Sequence, residues 1–149
     1  MKHKKIVFVC TGNTCRSPMA EAVMRAELKQ RRIRWYTVVS AGLHARAGDP
    51  MAENARKALL EEGIACPENF RARSLTPKLL REAYAVICMT REQAASLTGD
   101  NVKSMAVFAG RDVPDPYGQS QQVYRDTLRL IRDCVPKIIA ILDIGNENQ

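Results

Sequence analysis

The sequence contains no apolar run approaching the roughly 20 residues that a membrane-crossing helix needs, which excludes a chain that spans a bilayer on helices. Its start, Met1-Lys2-His3-Lys4-Lys5, has the charge of a secretory leader. The apolar-rich stretch after it stops at Cys10-Thr11-Gly12-Asn13, too short for a leader's core. A cytoplasmic location is expected, with no membrane partner. The five cysteines are odd in number and lack Cys-x2-Cys spacing, so neither a disulfide framework nor a zinc site is expected. Four Tyr, three Phe and one Trp are too few, and too far from the basic clusters at 2–5 and 29–34, to build a stacking platform for nucleic acid. The net charge of +7 is therefore read as solvated termini and helix faces that tolerate acidic or phosphorylated partners. Repeats, low-complexity tracts and linkers are missing as well, and one domain over residues 1–149 is expected.

What is present is an alternation of strand-like and helix-like stretches. Residues 5–9 read as a buried strand, and 17–31 as a helix with Met19, Ala20, Val23, Met24 and Leu28 on one stripe. Residues 35–39 read as a second strand, closed by Ser40-Ala41-Gly42. Asp49-Pro50 opens a helix over 51–62 that Gly63 stops. Thr76-Pro77 starts a short helix to 82, and 84–89 is an apolar strand of the kind covered on both faces. Thr90 and Gln93 have capping-box spacing for a helix to 97. A last strand is expected at 104–108, then a Pro- and Gly-rich loop over 109–119. A final helix covers 120–143, with Val123, Thr127, Leu130, Ile131, Cys134, Ile138, Ile139 and Leu142 on its apolar side. Pro136 should kink it, and 144–149 should fray. The pattern predicts an α/β fold: a single three-layer domain with a four-stranded, parallel, twisted sheet in flavodoxin-like order and helices on both faces. Ligands of such sheets bind beyond the carboxyl ends of the strands, where Cys10 falls.

The stretch from Cys10 to Pro18 carries the chemistry. Gly12 and Asn13 tolerate φ > 0, while Ser17-Pro18 reads as a helix cap and first turn. Such a loop turns backbone N–H groups toward an anion, and the helix dipole adds positive potential. Inorganic phosphate or another oxyanion is the expected occupant of this phosphate-binding loop. Cys10 would lie at its mouth, where loop N–H groups, the helix start and Arg16 favour the thiolate, which is the nucleophilic form. Arg16 offers a planar fork that matches two phosphoryl oxygens. A nucleotide fold would need Gly-Lys-Ser/Thr after Gly12, or three spaced glycines, and has neither. Proton transfer to a leaving group calls for an acid. Asp115, held between Pro114 and Pro116, is the constrained candidate; Asp112 is its freer competitor, and Tyr117 can wall the cleft.

Cys10-Thr11-Gly12-Asn13-Thr14-Cys15-Arg16-Ser17-Pro18 together with Asp115-Pro116-Tyr117 resembles the paired signatures of the low-molecular-weight protein tyrosine phosphatases. Ser40-Ala41-Gly42, Arg71-Ala72-Arg73 and Ile87-Cys88-Met89-Thr90 resemble further landmarks, so the likeness spans the chain. The resemblance implies a hydrolase acting on phosphorylated proteins, free of cofactor and metal, as a monomer or weak dimer. It implies a phosphocysteine intermediate on Cys10, phosphate binding by Arg16, and Asp115 as acid and then base. Thr11, Gly12, Asn13, Thr14, Cys15, Ser17 and Tyr117 would bind substrate or shape the loop. Within that set, Asn13 shapes the loop by hydrogen bonds, Ser17 stabilises the thiolate, and Cys15 can trap an oxidised Cys10 as a disulfide. Two departures stand out. Phe70 replaces a histidine common before the Arg-x-Arg segment. Thr14, where many members carry a bulkier aliphatic residue, resembles the branch that hydrolyses phosphoarginine, whereas Tyr117 is the aromatic common in the tyrosine-specific branch. Phosphotyrosine is the expected substrate and phosphoarginine the alternative. A thiol-coupled arsenate reductase is more remote, because Cys66, Cys88 and Cys134 are not spaced as a disulfide relay.

Overall fold

The computed structural model describes residues 3–146. Strand β1 (Lys4–Cys10) lies between β2 (Tyr36–Gly42) and β3 (Ala85–Cys88), and β4 (Val102–Ser104) adds to β3. The sheet order is β2-β1-β3-β4, all parallel, with Cys10 opposite Gly42 and Val9 opposite Cys88. Strand β1 is apolar at every position from Ile6 because both of its faces are covered. Ile6, Phe8 and Cys10 point into one core; Val7 and Val9 point into the other. The first core is closed by α1 (Arg16–Gln30), α2 (Glu53–Glu61), α5 (Ala106–Ala109) and α6 (Gln121–Ile141). The second is closed by α3 (Pro77–Glu82) and α4 (Arg91–Ala95). This is the expected α/β architecture, with its topological switch beside the carboxyl end of β1.

Local chemistry explains the ends that match expectation. Thr76 Oγ1 accepts from Leu79 N at the start of α3, Thr90 and Gln93 form a reciprocal capping box, and Ser120 caps α6. Gly63, at φ 69°, ends α2.

Several expectations fail for identifiable reasons. Residues 104–108 are not a strand. β4 stops at Ser104, whose Oγ accepts from Ala106 N at 2.9 Å, and one helical turn follows. Met105 and Phe108, three apart, are buried there while Val107 faces out, which is a helical rather than an alternating pattern. Ser17 does not cap α1, which begins one residue earlier with Cys15 in the cap position and no side-chain cap bond. Asp49 does not cap α2 either; Ala52 precedes that helix and binds Thr14 O through its N–H. Trp35 precedes β2 at φ 73°. The expected stripe of α6 is buried at Thr127, Ile131, Cys134, Ile138 and Ile139, with Leu130 and Leu142 packed partly buried against the core; Tyr124, Leu128 and Val135 join it, and Val123 does not. The helix runs unbroken through Pro136. Residues 144–146 do not fray. Ile144 is buried and its N–H binds Ile139 O, while Gly145 N–H binds the Tyr36 hydroxyl. The rest of that expectation, residues 147–149, lies outside the described residues.

Candidate active site

The loop between β1 and α1 is pinned from outside by backbone bonds. Leu43 N–H binds Cys10 O at 3.0 Å, His44 N–H binds Thr11 O at 2.9 Å, and Ala52 N–H binds Thr14 O at 2.9 Å. The approach requires Gly42, because a β-carbon there would sit 2.7 Å from Thr11 O. Gln93 adds a tie from α4, donating from Nε2 to Thr11 Oγ1 at 3.1 Å. Of the two residues expected to adopt φ > 0, Asn13 does so, at 58°, and Gly12 does not.

Beneath the loop, Asn13 is fully buried and uses its whole amide. Its Oδ1 accepts from Arg73 N–H at 2.9 Å, and its Nδ2 donates to Ser17 Oγ and to Ser40 Oγ, each at 2.9 Å. Ser17 Oγ lies 2.9 Å from Cys10 Sγ, which also accepts from Asn13 N–H at 3.3 Å. Ser40 in turn donates to Glu21 at 2.7 Å. The Asn13 bracing is therefore complete with Phe70 in the histidine position.

Cys10 and Arg16 are only 2% and 4% exposed, and Arg16 reaches the cleft. Arg16 Nη1 donates to Val113 O at 3.1 Å and Nη2 lies 3.7 Å from Asp115 Oδ2. One arginine thus joins the loop to the Asp-Pro-Tyr segment. Asp115 is half exposed, and its Oδ1 accepts from Tyr117 N–H at 3.1 Å, which fixes the turn. Asp112, the competing acid, is engaged elsewhere: its Oδ1 accepts from Arg91 N–H at 2.9 Å. Two hollows of about 420 and 370 Å³ share Thr11, Arg16, His44 and Asp115 in their walls. The second is also lined by Gly12, Thr14, Cys15, Arg46, Asp49 and Tyr117.

The geometry thus gathers Arg16 and Asp115 with Thr11, Gly12, Thr14, Cys15 and Tyr117 around the cleft, while the Cys10 thiol is buried against Ser17 and Asn13 and is not in the wall of either hollow. The side chains of Asn13 and Ser17 are not in its wall. They are supports under the loop, because their polar atoms are used on Arg73, Ser40 and Cys10. Residues not anticipated are Glu21, Gln93 and Tyr124, whose hydroxyl lies 3.3 Å from Cys15 Sγ. Burial pushes the Cys15 thiol up, against the hydrogen bond to Tyr124, and pushes the Tyr124 phenol up too. The available signal for Glu21 was a lone charge inside the apolar first turns of α1. Tyr124 lay outside the apolar side expected for α6 and gave no sign of polar work.

The remaining cysteines are structural. Cys88 is buried in β3, and desolvation pushes its thiol up to about 12; Cys134 is buried on α6. Cys66 is half-buried, with Sγ 3.9 Å from Arg56 O. Among the described residues no group of three or more His, Cys, Asp or Glu is placed to hold a metal ion, and no helix is long and apolar enough to cross a membrane.

Comparison with known proteins gives the same picture. The family described as "Low molecular weight phosphotyrosine protein phosphatase" matches residues 5–148. The low molecular weight protein-tyrosine-phosphatase Ptp of Acinetobacter johnsonii is 30% identical over 141 residues, covering 91% of this chain and 95% of that protein. The protein-arginine-phosphatase of Bacillus subtilis is 34% identical over 131 residues, covering 82% and 85%. The crystal structure of a low molecular weight protein tyrosine phosphatase from T. tengcongensis superposes with a TM-score of 0.84 at 34% identity, over 93% of this chain and 99% of that one.

Proposed function

The chain belongs to the low molecular weight phosphotyrosine protein phosphatase family, and on that premise we propose that it hydrolyses phosphotyrosine on proteins through a phosphocysteine formed on Cys10. What supports the assignment of roles is the Asp115 carboxylate 3.7 Å from the Arg16 guanidinium, at the far end of the short loop that begins with the Cys10 thiol at the end of β1.

The phosphoryl group enters the loop, and the Arg16 fork holds two of its oxygens. The N–H groups of Gly12, Thr14, Cys15 and Arg16 have no protein acceptor among the described residues and are free to meet the others. The Cys10 thiolate, supported by the Ser17 hydroxyl and the Asn13 N–H, attacks phosphorus in line with the leaving oxygen. As the S–P bond forms and the P–O bond breaks, protonated Asp115 gives its proton to the leaving phenolate. Asp115, now ionised, then takes a proton from water. The water oxygen attacks phosphorus, the S–P bond breaks, and inorganic phosphate leaves a free thiolate. Negative charge on the equatorial oxygens is met by Arg16 and the loop N–H groups throughout. We place the enzyme in the cytoplasm as one domain over residues 1–149, a monomer or weak dimer acting on phosphorylated proteins without cofactor.

Cys10→Ser is expected to abolish turnover of an aryl phosphate while thermal melting shows an intact fold; surviving turnover would remove Cys10 from the nucleophile role. A second reading, phosphoarginine, is favoured by Thr14, whose side chain lines the cleft beside Asp49, and by the likeness to a protein-arginine-phosphatase. Comparison of kcat/KM on phosphotyrosine and phosphoarginine for wild type and Thr14→Ile decides it. A ratio that moves toward phosphotyrosine assigns specificity to Thr14, and an unchanged ratio refutes that role.

A further inference from the structure

Hydrolysis uses only one of the two hollows. Thr11, Arg16, His44 and Asp115 border both, so both begin where the phosphoryl group is held. The smaller has Gly12, Thr14, Cys15 and Tyr117 in its wall and takes the phosphorylated side chain. The larger, about 420 Å³, runs from the same shared residues to α4 and adds Leu43, Thr90, Glu92, Gln93 and Ser96. A single phosphorylated side chain leaves it empty.

The larger hollow is built to accept hydrogen bonds. Glu92 is the one charged residue that it does not share with the smaller hollow. Among the described residues, Glu92 enters no salt bridge, and its neighbour Arg91 is drawn to Asp112 instead. Ser96, four residues on, spends its hydroxyl proton on Gln93 O at 2.7 Å and keeps its oxygen as an acceptor. Donors that would draw an anion to α4 are already engaged. Arg91 N–H goes to Asp112, Gln93 N–H to Thr90 Oγ1, and Gln93 Nε2 to Thr11 Oγ1. The Arg16 guanidinium is committed to the phosphoryl oxygens. With phosphate in the loop, the unanswered charge at the far end of this hollow is negative.

We propose that the larger hollow is a specificity subsite for a lysine or arginine side chain lying close in sequence to the phosphorylated residue, with Glu92 as its counter-charge and the Ser96 hydroxyl oxygen as a second acceptor. Leu43 gives the aliphatic stem of such a side chain an apolar wall. The inference deepens the phosphatase reading and rests on it. It also runs against the charge of the whole chain. At +7, long-range attraction alone favours acidic peptides, so a preference for a basic one has to come from a local group.

The test uses short phosphotyrosine peptides in which one Lys or one Glu is moved through the positions on either side of the phosphotyrosine. The readout is the Lys-to-Glu ratio of kcat/KM, taken on one enzyme at a time so that overall activity cancels. At one position or more the wild type should favour Lys about two- to fivefold, the size of an exposed ion pair, and the difference should lie in KM. Glu92→Gln should bring the ratio to one or below, and Glu92→Lys should reverse it. Salt at about 0.5 M should flatten the wild-type preference. Glu82→Gln makes the same change in net charge at the opposite end of the sheet and should leave the ratio where it was. A wild type that never favours Lys, a ratio unmoved by Glu92→Gln, or an equal shift from Glu82→Gln overturns the proposal while the phosphatase reading stands. A zero rate on every peptide overturns both.

Discussion

Asn13 is where the structure makes its strongest demand on a single residue. Asn13→Ala removes three hydrogen bonds and places a residue with no local polar compensation at φ 58°. Three bonds at about 0.5–1.5 kcal/mol each give roughly 1.5–4.5 kcal/mol. The left-handed conformation costs an ordinary residue about 1–2 kcal/mol, part of which asparagine already bears. A loss of about 3 kcal/mol is therefore expected. At roughly 2–4 °C per kcal/mol for a chain of this size, Tm should fall by about 10 °C. Asn13→Gly loses the same bonds but not the φ preference. It should sit roughly 0.5–1 kcal/mol above the alanine variant, even though glycine also loosens the unfolded chain. Urea denaturation with a shared m-value measures both. Either variant remains folded at 25 °C, so a fall of about tenfold or more in kcat/KM on an aryl phosphate reports lost loop geometry. An Asn13→Ala variant within 0.5 kcal/mol of wild type, or a glycine variant below the alanine one, would refute the reasoning.

Asp115→Asn should slow hydrolysis of esters with poor leaving groups far more than of those with good ones; equal slowing removes Asp115 from the acid role. Arg125 holds the Glu61 carboxyl below its usual 4.5 through paired hydrogen bonds. The stability from this pair is present above pH 4.5 and fades as pH falls through the lower folded value, so Arg125→Met should flatten the urea-stability curve in that acidic range, and coincident curves would contradict it. Ile144→Ala should cost about 2–4 kcal/mol because the residue is docked in the core; a loss under 0.5 kcal/mol would mean the segment is not held there.

β1 and β3 were legible because they carry unbroken apolar runs, and the helices because they are punctuated by Thr76, Thr90, Ser120 and Gly63, each with a local mechanism; β4, a short Val-Lys-Ser segment, was not. The candidate site was legible because Cys10 and Arg16 share one short loop and Asp115 is framed by prolines. What stayed hidden depends on partners distant in sequence. Whether Met105–Phe108 forms a strand or a turn of helix is decided by which residues meet the core, and the run is too short for its own period to tell. The buried state of Glu21 needs Ser40 and Arg25 beside it, and only Arg25 lies near it in sequence. Ile144 looked like a tail because the bond from Gly145 to Tyr36 joins opposite ends of the chain.

The mistaken cap at Ser17 shows how local rules give way at a working site. Serine before proline is a good helix start, and three other helices here do use a hydroxyl cap. At α1 a capping hydroxyl would consume an N–H that the site needs. The helix instead begins after Cys15 without a side-chain cap, and Ser17, the second residue of the element, turns its hydroxyl inward to Cys10. One displacement accomplishes two things: it leaves the first-turn N–H groups to an incoming anion, and it gives the thiolate a donor. The cost of an uncapped start, about 1 kcal/mol, is offset by burial of α1 from Arg16 through Met24. That span includes Glu21, whose carboxyl burial pushes up while Ser40 donates to it at 2.7 Å and Arg25 lies 3.0 Å away.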